Sequence, residues 1–236
     1  MQTELNLFNG IEKLFSHHNI LSISGESGTG KTTFALQLIG NLLTENEPYK
    51  DSCIWVQASE RFPVKRISQI FENNPQKLEY VVNNIYIIPQ KGPICTYEEQ
   101  SSIIEKILNS NFILPPYLKY LVIDNISHHL RYKITHFNTP QHVSYILDSF
   151  YDTILMPFII FCKRNGIILF IIHEVTYNPT LQKLRPFFYK LYDRIQTIDI
   201  ELRKVINTEK KDLLIQFNDM KWNFQFILKH NGIVLI

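Results

Sequence analysis

A short glycine-rich segment between two apolar runs constrains the fold of this chain more than any other feature. Residues 25–32, GESGTGKT, lie between the run NILSIS and the helix-like run KTTFALQLIGNLL. The spacing is Gly25, four residues, then Gly30, Lys31 and Thr32. Glycines let backbone N–H groups turn inward around an anion, and the start of the following helix adds a positive field. A strand, this loop and a helix in that order predict a phosphate-binding loop in an α/β protein.

The phosphate-binding interpretation gives chemical roles to the residues around this segment. Lys31 is expected to reach the β- and γ-phosphates of a nucleotide, and Thr32 to ligate Mg²⁺. The metal also needs an acid, and Asp124 ends the apolar run YLVID, at the strand end where ligands bind in open α/β sheets. We therefore predict a metal site at Thr32 and Asp124. The loop residues predicted to hold the nucleotide are Gly25, Glu26, Ser27, Gly28, Thr29, Gly30, Lys31, Thr32 and Thr33.

Apolar runs alternate with helical patterns along most of the chain. The strand-like runs are NILSIS, SCIWVQ, IYIIP, YLVID and GIILFII, and helices are predicted at residues 31–43, 64–71, 96–108 and 142–163, the last kinked at Pro157. This alternation predicts an α/β fold with a mostly parallel central sheet and helices on both faces. After Tyr192, the runs RIQTIDIELRK, DLLIQFN, WNFQFIL and GIVLI predict a C-terminal antiparallel extension, with a hairpin loop at residues 208–212. We predict one domain over residues 1–236.

Composition narrows the classes of function. A net charge of +2 excludes a chain-wide nucleic-acid surface, so any such contact must be a local patch. Three widely spaced cysteines, Cys53, Cys95 and Cys162, fit a reducing compartment better than a disulfide framework. The N-terminus lacks the pattern of a signal peptide, and the stretches TILMPFIIFC and GIILFII are each too short to span a bilayer. We expect no membrane association, with a cytoplasmic location in an archaeal or bacterial host and a nuclear one in a eukaryote.

Three further segments resemble the RecA/RadA recombinase family. They are SERFPVKRISQ at residues 59–69, DNISHHLRYK at residues 124–133 and FIIHEVT at residues 170–176. Together with the glycine-rich loop they follow the family's order, and they are most similar to archaeal RadB and the eukaryotic recombinase paralogues. The resemblance runs from about residue 7 to residue 236. It implies a RecA-like P-loop fold, ATP and Mg²⁺ as cofactors, and action in homologous recombination and DNA repair.

The resemblance also assigns individual nucleotide-site residues, with two departures. Arg66 matches a family arginine that stacks on adenine. Where the family has a water-activating glutamate, a count without gaps gives Ser59, and Glu60 comes one residue later. The family's Asn–Gln pair that ends the fifth strand is His173–Glu174 here, and a carboxylate facing the γ-phosphate would repel it unless it acts as a relocated base. We predict Glu60 and Glu174 as catalytic candidates, with slow or absent ATP hydrolysis.

Two segments match the family's loops that face single-stranded DNA. The first is residues 128–141, HHLRYKITHFNTPQ, and the second is residues 177–187. Basic residues interleaved with aromatic ones suit phosphate attraction and base stacking. The second loop is shorter than in active recombinases, so we expect no strand exchange. The predicted DNA contacts are Arg131, Lys133, Lys183 and Arg185.

Assembly and partner predictions rest on family features that this sequence lacks. No Phe-x-x-Ala polymerisation motif occurs, and the loop begins at Gly25, so we expect neither the family's N-terminal helical domain nor a long homofilament. The leading hypothesis is an accessory or mediator protein that assists a RadA-type recombinase, or another recombinase paralogue, on single-stranded DNA. The alternative is a RecA-fold regulator that acts through protein partners without DNA contact. A third interpretation, a self-phosphorylating KaiC-like ATPase, fits less well with a single phosphate loop and the FPVKR segment.

Overall fold

Helices and strands alternate through the first two thirds of the chain, and strands dominate the rest. The computed structural model describes residues 2–15, 18–45, 50–109, 111–137 and 139–236. Helices α1 to α9 are Gln2–Phe15, Lys31–Leu43, Val64–Ile70, Pro75–Asn84, Tyr97–Leu108, His128–Thr135, Pro140–Phe150, Met156–Arg164 and Tyr189–Tyr192. Strands β1 to β10 are Ile20–Gly25, Ser52–Gln57, Ile85–Ile88, Leu118–Asp124, Ile168–Asn178, Lys183–Pro186, Ile198–Lys204, Lys210–Phe217, Met220–Lys229 and Gly232–Leu235.

One sheet connects nearly all of these strands in the order β10-β9-β8-β7-β1-β5-β4-β2-β3, and β6 pairs with the far end of β5. The pairs from β3 to β7 are parallel, and those from β7 to β10 are antiparallel. The predicted fold class, a mostly parallel sheet with helices on both faces and an antiparallel C-terminal extension, is confirmed. Since β1 lies next to β5 and β5 next to β4, the carboxyl ends of β1 and β4 fall at the same edge of the sheet.

Both faces of the central strands are buried, which explains their continuous apolar sequences. Along β4, Tyr120 and Val122 pack into one hydrophobic core, and Leu121 and Ile123 pack into the other. The first core lies under α2, and the second lies under α8 and the helical turn before it. Because alternate side chains of a strand point to opposite faces, residues 120–123 of β4 are all apolar and buried, between the exposed Lys119 near the start of the strand and Asp124 at its end.

The helix that was predicted at residues 142–163 runs from residue 140 to residue 164. Helices α7 and α8 are joined by a π-helical turn, Tyr151–Leu155, which ends two residues before Pro157. Proline lacks an N–H donor and clashes with the preceding turn, and a π-bulge is one way in which a helix accommodates it. Pro140–Arg164 is long and apolar enough to cross a membrane by length and composition, with 33% of its apolar window buried. Its residues Leu155, Phe158 and Cys162 are fully buried in the second core, as in a helix that covers a sheet.

The two segments that were predicted as DNA-facing loops form regular elements instead. Residues 128–135 are helix α6, and α7 begins at residue 140; residue 138 lies outside the described residues. In the second segment, β5 extends to residue 178 and pairs with β6 as an antiparallel hairpin. Only His129 and Leu130 of α6 are buried, so its sequence shows too little apolar periodicity to indicate a helix. The hairpin loop predicted at residues 208–212 is also displaced, because β8 already begins at Lys210.

Candidate nucleotide-binding site

The glycine-rich loop curls around the amine of its own lysine. Lys31 Nζ donates hydrogen bonds to Gly25 O at 2.9 Å and to Glu26 O at 3.1 Å. The loop closes on itself where the backbone N–H and the hydroxyl of Thr29 both donate to Glu26 O. Gly30 has a φ of +100°, in the left-handed region that glycine enters freely, and its carbonyl accepts the first bond of α2. The predicted strand–loop–helix arrangement is therefore present, with the ammonium group inside the loop.

Burial makes the positive charge of Lys31 expensive in the absence of an anion. Desolvation lowers the pKa of Lys31 below its ordinary value, although the carboxylates of Asp124, Glu174 and Glu60 each oppose that shift. A buried cation gains most from a counter-ion because the surrounding dielectric is low. The amine is thus poised to exchange its two carbonyl partners for an anionic ligand.

A hydroxyl and a carboxylate meet beside the loop. Thr32 Oγ1 donates to Asp124 Oδ2 at 2.8 Å, although the two residues are 92 positions apart in sequence. Burial raises the pKa of Asp124 to about 6, against the opposing effects of Thr32 and Lys31. Oxygen atoms are the ligands that Mg²⁺ prefers, and two of them from the protein suit an ion whose other ligands are water and phosphate. These residues therefore fit the predicted metal site.

Ser59 and Glu60, the two candidates for the water-activating position, lie in the turn that follows β2. Strand β2 ends at Gln57, and the backbone N–H groups of Ala58 and Ser59 both donate to Asp124 O. Strand alternation therefore does not decide which side chain faces the site at this point. Glu60 is exposed, and its carboxylate acts on the pKa values of both Lys31 and Asp124. Of the two neighbours, Glu60 is the one with an ionisable group beside the phosphate loop.

His173 and Glu174 lie midway along β5 and point to opposite faces of the sheet. His173 is fully buried, its ring lies 4.3 Å from that of Tyr192, and desolvation lowers its pKa to about 3. Glu174 is paired in register with Gly25, and its carboxylate forms an ion pair with Arg131. The same carboxylate acts on the pKa values of Lys31 and Asp124. Both residues therefore lie close to the phosphate loop, since Lys31 also lowers the pKa of His173, and Glu174 is the one whose side chain is paired with Arg131.

Arg66 lies against the start of α2, where it joins distant parts of the chain. Its Nε donates to Thr33 Oγ1 at 3.0 Å, and its Nη atoms donate to His230 O at 2.5 Å and Lys229 O at 2.7 Å. The guanidinium group thus holds the turn between β9 and β10 beside the phosphate-loop helix. This location is compatible with the predicted contact to a nucleotide base.

Three of the four cations predicted to contact DNA already have acidic partners. Arg131 pairs with Glu174. Lys133 lies 2.5 Å from a carboxylate oxygen of Glu98, and Arg185 lies 2.5 Å from one of Asp193. Lys183, at the start of β6, is exposed. The pairs of Arg131 and Lys133 were missed in the sequence because partners 35 or more positions apart leave no periodic signal.

An aromatic cavity of about 590 Å³ lies along α6. Its walls include Tyr97, His128, Tyr132, Lys133 and Phe137. Three side chains of the first predicted DNA-facing segment, Tyr132, Lys133 and Phe137, thus line one concave surface. Exposed aromatic rings stack on bases in proteins that bind single strands, and the Lys133–Glu98 pair reduces the net positive charge of this surface.

Comparison with known proteins agrees with this geometry. The NB-ARC domain family model matches residues 6–114, which include the glycine-rich loop. A solved structure described as that of the RadB recombinase superposes with a TM-score of 0.65 at 17% sequence identity, covering 91% of this chain and 89% of that chain. A comparison with curated proteins finds no significant match. The chain has a RecA-like P-loop fold, as the resemblance implied.

Proposed function

We propose that this chain binds ATP with Mg²⁺ and serves as an accessory protein to a RadA-type recombinase, or to another recombinase paralogue, in homologous recombination and DNA repair. The observation that supports nucleotide binding is that the side chains of Lys31, Thr32 and Asp124 lie together at one edge of the sheet. The Lys31 amine lies inside the loop, and the Thr32 hydroxyl bonds to the Asp124 carboxylate at 2.8 Å. The RadB-like fold supports the recombination part, which goes beyond the geometry.

Each group of the site has a distinct task in this proposal. The backbone N–H groups of the loop and the start of α2 hold phosphate oxygens, and Lys31 neutralises their charge. Thr32 and Asp124 would hold Mg²⁺ between the loop and the carboxyl end of β4. Bound Mg²⁺ supplies charge neutralisation along the triphosphate. Arg66 contacts the base from the side of α2.

Hydrolysis is expected to be slow under this proposal. A general base must reach the attacking water, and Glu60 lies exposed in the turn after β2. Glu174 is the other candidate, but its carboxylate is committed to Arg131. We propose Glu60 as the base, with a turnover well below about one per second, at the low end of the usual enzyme range.

The affinity for MgATP should depend on the protonation of Asp124. Its pKa is raised to about 6, so the carboxyl is largely neutral at pH 5 and charged at pH 7. Mg²⁺ binds the charged form, and the affinity should therefore rise by about tenfold per pH unit at most below this pKa and level off above it. Calorimetric titrations from pH 5 to pH 8 measure this dependence. Asp124→Asn is the matched control, because the protonation of ATP itself is the same in both experiments while the contribution of Asp124 disappears. An identical pH profile of the affinity in both proteins would contradict the assignment.

The second candidate function is a regulator that acts through protein partners without DNA contact. The ion pairs of Arg131, Lys133 and Arg185 favour it, because paired cations attract phosphate less strongly than free ones. The two candidates share the nucleotide site. They differ in whether the bound nucleotide controls contact with single-stranded DNA or only contact with a protein partner.

Binding to single-stranded DNA separates these candidates. If the chain is a recombination accessory, labelled single-stranded DNA should bind at low salt, more tightly with ATP and Mg²⁺, and the affinity should fall as salt rises. Lys183→Ala should weaken binding and reduce the salt slope by about one. Lys163→Ala, at the far end of the sheet beside Asn19, is the control that should change neither. No binding at low salt, with or without ATP, would favour the protein-partner regulator.

A further inference from the structure

An ion pair lies at the edge of the phosphate loop. Glu174, in the part of β5 that pairs with the start of the loop, forms an ion pair with the guanidinium of Arg131 from helix α6. Both side chains are 39% exposed, so solvent screens the pair only in part. The pair joins the strand beside the loop to a helix that follows Asp124.

The carboxylate of Glu174 lies where a bound triphosphate would meet it unfavourably. Glu174 is the register partner of Gly25, which begins the loop. Its charge acts on the pKa values of both Lys31 and Asp124, the groups that would flank the terminal phosphate and its metal. A bare carboxylate at this position would repel the γ-phosphate, whose extra negative charge a diphosphate lacks.

Arg131 is held in place to counter that charge. Its guanidinium stacks 3.8 Å above the ring of Phe187, and the backbone N–H of Phe187 donates to Glu174 O at 3.1 Å. The backbone N–H of Arg131 donates to Ser127 O at 3.0 Å, which fixes this residue in the first turn of α6. His128, on the same turn, has its pKa lowered by burial first, with further lowering from His129 and Arg131 against the opposing effects of Glu174 and Glu60. Arg131 is therefore the permanent positive charge next to Glu174.

We propose that Arg131 is a positioning residue of the nucleotide site, and that by neutralising Glu174 it sets the preference of the site for a nucleoside triphosphate over a diphosphate. This deepens the proposed function and rests on it. With both residues present, the pair contributes no net charge. Loss of Arg131 leaves a net negative charge near the terminal phosphate, and loss of the Glu174 charge leaves a net positive one.

Two other paired cations in the described part of the chain lie elsewhere. Lys133, two residues after Arg131, turns to Glu98 of α5. Arg194 offers a close structural match elsewhere: it pairs with Asp148 at 3.2 Å and stacks 5.0 Å above Tyr151. That pair bridges the end of α7 and the segment after α9, and no pKa shift of a phosphate-loop residue involves it.

The test measures the affinities of MgATP and MgADP by calorimetry for the full chain and four variants. Arg131→Ala should weaken MgATP by about tenfold and MgADP by no more than about threefold, since charge repulsion falls with distance from the carboxylate. Glu174→Gln should shift the ratio of the two affinities the opposite way. The double variant should return the ratio of the MgATP and MgADP affinities to within about twofold of that of the unaltered chain, because it removes both charges of the pair. Arg194→Ala should leave the ratio unchanged.

The outcomes separate the two claims. If the unaltered chain binds neither nucleotide, the proposed function is wrong and this assignment falls with it. If it binds ATP but neither Arg131→Ala nor Glu174→Gln changes the ATP-to-ADP ratio, the assignment alone is overturned. Thermal unfolding of each variant checks the fold, and if Arg131→Ala does not fold, Glu174→Gln still decides the question, since a ratio unchanged in that variant overturns the assignment.

Discussion

Replacing Lys31 by alanine should weaken MgATP binding by about a hundredfold or more, which corresponds to roughly 3 kcal/mol for the loss of a buried, charge-assisted contact. Lys31 Nζ bonds two carbonyls inside the loop, where phosphate oxygens would replace them. The fold should survive, because burial lowers the pKa of this amine and its removal ends a desolvation cost. Calorimetry measures the affinity, and thermal unfolding measures the stability.

Lys163→Ala is the charge-matched control for this variant. Lys163 lines a cavity with Asn19 and Ile168, at the opposite end of the strands from the loop. Its removal also lowers the net charge by one, and it should change the MgATP affinity by less than about twofold, because surface charges at that distance are screened. Equal losses in the two variants would mean that Lys31 acts only through net charge and makes no direct contact with the phosphates.

Replacing Gly25 by alanine should lower the free energy of unfolding by about 2–3 kcal/mol, a value typical of forced overpacking. A Cβ built on Gly25 would lie 2.5 Å from Leu202 O and 2.8 Å from Thr29 Oγ1. The first contact is with the backbone of β7, which is paired with β1. This backbone cannot move without disturbing the sheet. Chemical denaturation measures the loss, and nucleotide binding should be lost with the displaced loop.

Two other glycines of the chain serve as controls for this substitution. Gly28→Ala meets no atom within 4 Å, but its φ of +75° costs an alanine about 1–2 kcal/mol. Gly10→Ala, inside α1 and also in open space, should stabilise the chain by about 0.5–1 kcal/mol. If Gly25→Ala is no more destabilising than Gly28→Ala, the close packing of the loop against β7 is not what holds Gly25 in place.

The sheet could be predicted from sequence because its strands carry a strong local signal. Strands β1, β2 and β4 are mostly buried and rich in apolar residues, so their ends mark Gly25 and Asp124 directly. The meeting of Thr32 with Asp124 then follows from the rule that ligands bind at the carboxyl ends of parallel strands. The site residues that are easiest to predict from the sequence are those that lie at the carboxyl ends of these strands.

The polar pairs around the site could not be predicted in the same way. Arg131 and Glu174 are 43 positions apart, and Arg66 reaches a carbonyl 164 positions away. Such contacts depend on which strands become neighbours, and no sequence spacing encodes that. The position of Glu60 was uncertain for a related reason, because β2 ends at Gln57 and strand alternation stops there.

Some missed elements did carry a signal. Helix α4 begins at Pro75, and the side chain of Asn74 accepts a hydrogen bond from Lys77 N, which is a recognisable helix start in the sequence NPQK. The first arm of the β5–β6 hairpin contains VTY, residues 175–177, a run of residues that favour strands. Both segments are otherwise polar, and their polar composition obscured these local signals.

The most direct test of the central claim is a calorimetric titration of the unaltered chain with ATP, first in Mg²⁺ and then in EDTA. We expect saturable binding of one ATP per chain in Mg²⁺ and an affinity at least about tenfold lower in EDTA, because Thr32 and Asp124 then have no metal to hold. The absence of binding at millimolar ATP, or binding that neither EDTA nor Lys31→Ala weakens, would contradict the assignment of this loop as a MgATP site.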